Sequence, residues 1–102
     1  AVEIFKSIYN LTETDYLRRE SLFLLGRSYE KMGENKSAEH YYRIYLDEYP
    51  ETNYHDEVLY NLGLMLNEAG NAEESREVLQ RLRREHPYSE YNNSEVYDIL
   101  NN

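Results

Sequence analysis

Leu22-Phe23-Leu24-Leu25-Gly26-Arg27-Ser28-Tyr29 and, 37 positions later, Leu59-Tyr60-Asn61-Leu62-Gly63-Leu64-Met65-Leu66 are two versions of one pattern. In each, the residues at i, i+3 and i+7 are apolar or aromatic and i+4 is glycine, which sets all four on one stripe of an α-helix. Glycine inside a helix costs about 1 kcal/mol relative to alanine. Finding it twice among leucines predicts a second helix packed so close to the stripe that no side chain fits there.

The same offset governs the rest of the chain. Gly33 returns as Gly70, Pro50 as Pro87, Tyr54 as Tyr91, Glu20 as Glu57 and Glu48 as Glu85. Ala1 precedes Ala38, and Tyr60 precedes Tyr97, by the same step. All four glycines and both prolines obey it, so the chain is an internal repeat. Within each unit a second helical stripe follows the first: Ala38, Tyr41, Tyr42 and Tyr45, then Ser75, Val78, Leu79 and Leu82. Gly33 and Gly70 stand between the stripes, where a helix ends on a left-handed residue. Asn35 and Asn71 follow as N-caps of the next helix, and Pro50 and Pro87 stop it.

The predicted architecture is all-α, with helices over 1–10, 18–33, 35–49, 56–70, 72–86 and 93–101. Residues 18–54 and 55–91 are whole helix–turn–helix units within a single repeat domain, 1–102. Residues 1–17 read as the second helix of a preceding unit, and 92–102 as the opening of a following one.

A net charge of −9 argues against non-specific nucleic-acid binding, which needs a basic face to release counterions. It argues equally against docking on an anionic membrane surface. Arg76, Arg81, Arg83 and Arg84 are interleaved with Glu73, Glu74, Glu77 and Glu85, the mark of a solvated helix face. No apolar run reaches the ~18 residues of a membrane span, so no direct membrane insertion is expected. With no cysteine there are no disulfides and no thiolate chemistry. The histidines, His40, His55 and His86, share no metal-ligand spacing. His86 stands where the first unit has Tyr49, and all three read as surface or packing residues. No phosphate loop or nucleophile motif occurs. Neither an enzyme nor a cofactor nor a metal is expected.

Leu22, Leu25, Gly26, Tyr29, Gly33, Ala38, Tyr42, Tyr45 and Pro50 resemble the tetratricopeptide-repeat consensus nearly position by position. The second unit is similar through Leu59, Leu62, Gly63, Leu66, Gly70, Leu79, Leu82 and Pro87. It departs from the pattern with Ser75 where alanine is usual and with leucine where an aromatic is usual. The period exceeds the common 34 residues by about three, which lengthen the connectors at residues 49–54 and 86–91. That Tyr-Pro-x-Ser/Thr-x-Tyr type of connector is similar to those of the bacterial Tol–Pal accessory (cell-division coordinator) proteins and outer-membrane assembly lipoproteins.

The resemblance implies antiparallel helix pairs, six helices in all, stacked in a right-handed superhelix segment. It implies a protein or peptide partner held in a concave groove and, through the connector, a periplasmic or cell-envelope setting. The groove residues it implies are Glu20, Phe23, Arg27, Glu30 and Lys31 in one unit, and Glu57, Tyr60, Leu64, Asn67 and Glu68 in the next. Ser94, Tyr97 and Asn101 follow in the last. Phe23, Tyr60 and Tyr97 then form an aromatic ladder suited to an extended or helical peptide, although rings at this position also serve to stiffen the array. The lysine–asparagine clamp that holds C-terminal carboxylates in some members is absent here. The acidic neighbours favour a neutral or basic peptide. A competing expectation is a structural spacer that self-associates end to end, with Val2, Ile4, Phe5 and Ile8 at one end and Val96, Ile99 and Leu100 at the other left for a missing helix to cover. A third is an appendage that positions substrate for a catalytic domain elsewhere.

Overall fold

The computed structural model describes residues 1–11, 15–49 and 54–101, with only the backbone of Leu11. Among them lie six helices and no strand: α1 (Val2–Leu11), α2 (Asp15–Lys31), α3 (Asn35–Glu48), α4 (His55–Glu68), α5 (Ala72–Glu85) and α6 (Ser94–Leu100). They fall into two compact units, Ala1–Thr52 and Asn53–Asn102. In the first, α2 packs against α1 and α3; in the second, α5 packs against α4 and α6. The chain is the all-α helical repeat that its 37-residue period predicts. Helix limits agree within three residues, the largest difference being the early start of α2 at Asp15. Pro50, expected to stop α3, lies outside the described residues.

The buried glycines act as expected. A Cβ on Gly26 would fall on the ring of Tyr42, and one on Gly63 on the isopropyl group of Leu79. Each glycine therefore sets how closely the two helices of its hairpin approach. Leu22, Leu25, Ala38, Tyr42 and Tyr45 are buried in the first unit; Leu59, Leu62, Leu66, Leu79 and Leu82 are buried in the second.

The hairpin turns are one device built twice. Gly33 and Gly70 adopt φ of +79° and +86°. Around them Glu34 N–H donates to the Tyr29 carbonyl (2.9 Å) and Gly33 N–H to that of Glu30 (3.0 Å). Asn71 N–H donates to the Leu66 carbonyl (2.9 Å) and Gly70 N–H to that of Asn67 (3.1 Å). These paired bonds satisfy carbonyls that the helix end would otherwise leave open.

The expected N-caps are corrected. Glu34, not Asn35, precedes α3, and Asn71 precedes α5, but neither side chain caps a backbone N–H. The turn holds residues 34 and 71 at ψ of 71° and 68°, short of the extended backbone that an N-cap usually adopts. The amide of Asn71 donates instead to Glu74 Oε1 at 3.1 Å. Asn93, freed from such a turn and extended at ψ −173°, does cap α6, accepting from the N–H groups of Glu95 and Val96.

The apolar faces expected at the ends are corrected in part. Val96 and Leu100 are buried within the second unit, and only Ile99 of that trio stays partly open. At α1, Ile4 is 63% exposed and Val2, Phe5 and Ile8 are half-buried.

Candidate functional site

The first-helix residues behave differently in the two units. On α2, Phe23 is 3% exposed. Its ring lies 6.3 Å from that of Tyr45, and the Arg27 guanidinium sits 5.7 Å over it. Glu30 accepts the Tyr42 hydroxyl at 2.7 Å. Glu20 is half-buried and Lys31 exposed; Lys31 joins Val2, Tyr29 and Met32 around a cleft of about 570 Å³ beside α1. Phe23 thus offers little surface to a ligand.

In the second unit two of the equivalents are more open than their counterparts, Tyr60 against Phe23 and Asn67 against Glu30. Tyr60 on α4 is half-buried, its ring 5.2 Å from that of Tyr91 and its hydroxyl donating to Glu95 Oε1 of α6 at 3.2 Å. Tyr97, on α6, is 62% exposed. Glu57 and Leu64 are half-buried, while Asn67, Glu68, Ser94 and Asn101 are exposed. Tyr97 also borders a cleft of about 310 Å³ with Arg83, Asn92, Asn93 and Ser94. The Tyr91 phenol is held above its usual value by burial and then by Glu57, so it stays a neutral ring beside Tyr60. One residue explains much of the contrast. Leu82 stands where Tyr45 stands, lacks a ring to meet Tyr60, and leaves that tyrosine to pack on the connector.

At the far end of the same helix hairpin lies a cluster that the sequence reading did not assemble. His55 opens α4; Glu85 and His86 close α5. In an antiparallel pair the start of the first helix lies beside the end of the second, so residues 31 apart in sequence meet. His55 Nδ1 lies 2.7 Å from His86 Nε2, and His55 Nε2 lies 3.3 Å from Nη2 of Arg81. A guanidinium can only donate. Arg81 therefore donates to His55 Nε2, and His55 Nδ1 carries the proton and donates to His86 Nε2. His55 is 0% exposed. Burial first, then the Arg81 and His86 charges, hold its imidazole below the usual 6.5.

Glu85 completes the corner. Its Oε2 accepts from Arg81 Nε at 2.9 Å, while Oε1 faces His55 Nδ1 at 4.0 Å. The connector beyond is held in place. His86 N–H donates to the Leu82 carbonyl (2.8 Å), Ser89 N–H to the His86 carbonyl (3.1 Å), and Ser89 Oγ to Asp56 Oδ2 (2.6 Å).

No helix among the described residues is long and apolar enough to cross a membrane. Among curated proteins none matches the chain. A family model described as tetratricopeptide repeat matches residues 23–90, the span that holds all four glycines, both hairpin turns and the imidazole corner. Such repeats generally mediate protein–protein contacts rather than catalysis. With two hairpins built on one register and most of its length inside that match, this chain is a member of the tetratricopeptide-repeat family.

Proposed function

We propose that the chain is a protein-interaction module that takes a peptide segment of a partner on the first-helix face of its second unit. The observation that carries this reading is Tyr97, a large ring 62% exposed one repeat step beyond a half-open Tyr60. Glu57, Leu64, Asn67 and Glu68 flank the pair. Exposed tyrosine gives contact area at small entropic cost and a hydroxyl that fixes register. Each such anchor contributes ~1–3 kcal/mol when buried by a ligand. The nearby carboxylates favour a neutral or basic segment. Phe23 supports the neighbouring fold of α2 rather than forming part of the contact. The connector's likeness to bacterial envelope proteins makes an envelope complex the setting for a partner.

Affinity capture from a bacterial envelope extract tests this, comparing the native chain with a Tyr60→Ala/Tyr97→Ala variant. A protein retained by the first and lost by the second, with helix content unchanged by circular dichroism, supports the reading. Equal retention by both sinks it. A second reading, self-association through α1, draws on Ile4 at 63% exposed beside half-buried Val2, Phe5 and Ile8. Light scattering that shows a strict monomer at about 100 µM removes it.

A further inference from the structure

We propose that His55, His86 and Glu85 form a binding site for one divalent transition-metal ion of the zinc class. Their donor atoms, two imidazole nitrogens and one carboxylate oxygen, all lie within 4.8 Å of one another. His55 is fully buried at the first position of α4, and His86 is fixed by backbone bonds on both sides. Glu85, 37% exposed, is gripped at Oε2 by Arg81, which leaves Oε1 turned toward the imidazoles. A carboxylate held by a donor on its outer oxygen is the usual support of a metal ligand.

The 2.7 Å between the two ring nitrogens is a hydrogen-bond distance. A proton now occupies the line between the lone pairs, and a metal ion takes that place. With Zn–N bonds of about 2.0–2.1 Å in a tetrahedral site, the nitrogens sit about 3.3 Å apart. The rings must separate by about 0.6 Å, and Glu85 Oε1 must close on Nδ1 by a similar amount. The proton leaves His55 Nδ1 and is restored to Nε2, so the imidazole stays neutral and no net proton is released there. Arg81 then gives up its 3.3 Å contact with Nε2 and keeps its 2.9 Å bond to Glu85. Its cation weakens the site without blocking it.

Two imidazoles with one carboxylate suit zinc, cobalt or nickel and not the hard ions calcium and magnesium, which prefer all-oxygen shells. Three protein ligands leave the fourth position open to water or to a donor from a partner. The first unit supplies an internal contrast. The equivalent residues are Arg18, Glu48 and Tyr49, with Arg18 Nη2 4.0 Å from Glu48 Oε2. The helical corner folds with an arginine and a tyrosine there, so the repeat itself does not require the imidazole pair.

The test is titration of the untagged chain with Co(II), followed by visible absorption, and with Zn(II), followed by calorimetry and by the three histidine resonances in NMR. One saturable ion per chain is expected, with a four-coordinate Co(II) spectrum and shifts at His55 and His86 but not at exposed His40. His86→Ala and Glu85→Gln, at the mouth of the site, should each weaken binding at least ~10-fold. His40→Ala should leave it unchanged, and excess magnesium should not compete. Circular dichroism shows whether each variant keeps its helices. Absence of a four-coordinate Co(II) spectrum from the native chain overturns the proposal. So does binding that survives His86→Ala, or that disappears with His40→Ala.

Discussion

The two units build the same hairpin and finish it differently. Gly26 meets Tyr42 where Gly63 meets Leu79, and the hairpin turns are the same pair of backbone bonds. In the first unit aromatic bulk closes the structure. Tyr45 reaches Phe23, Arg27 covers that ring, and the Tyr42 hydroxyl is taken up by Glu30. In the second, leucines fill the core and the aromatic rings are left near the surface. At the connector end, an arginine–glutamate contact in one unit becomes an imidazole pair in the other. A repeat register fixes which backbone positions meet; the size and ionisation of a few side chains then decide which faces remain available.

The largest expected effect separates Phe23 from Tyr97. Phe23→Ala should cost about 3–5 kcal/mol of stability in urea unfolding, because it empties a buried site. Tyr97→Ala should stay within about 0.5 kcal/mol of the native chain. Similar costs for both would erase the distinction between a closed and an open first-helix face.

The glycines come next. Alanine normally stabilises a helix interior over glycine, yet Gly26→Ala and Gly63→Ala should each destabilise by about 1–3 kcal/mol, since the new methyl falls on packed atoms. If either raises the urea midpoint, the close approach of that hairpin is wrong. Ser75→Ala should cost about 1 kcal/mol. Its buried hydroxyl donates to the Gly63 carbonyl at 2.7 Å, a bond that Ala38 cannot make in the first unit.

The smallest effect is on pH dependence, measured with a chelator present. Folded His55 is held below 6.5 and faces Arg81, His86, Glu85 and Asp56. As pH falls below about 6.5, the unfolded chain takes up a proton there before the folded one does. Stability present above that pH is lost progressively as the pH drops. His55→Gln should flatten the slope below about pH 6.5, where Arg18 in the first unit does not titrate. An unchanged slope would mean that His55 is not buried as a neutral base.

The period, the glycine stripes, the left-handed turns and the helix limits were legible in the sequence because backbone geometry demands them at fixed spacing. The fate of Phe23 was not, because it depends on whether residue 45 or 82 carries a ring. Val96 and Leu100 were read as an open face because sequence shows an apolar stripe without showing what covers it. The imidazole corner was missed because ligand spacing was sought along the chain. The signal was there in another form: His55 and His86 stand at the two ends that an antiparallel hairpin brings together. The serine departure at residue 75 likewise acquires a reason only once the facing carbonyl is seen.

The most direct measurement of the interaction reading is site-specific photo-crosslinking in an envelope extract. A photoreactive residue is placed at Tyr97, at Leu64, or on the exposed outer face of α5 at Glu73. One partner joined through positions 97 and 64, and nothing through 73, is the expected result. Crosslinks to that partner from 73 alone, or none from the first-helix face, would contradict it.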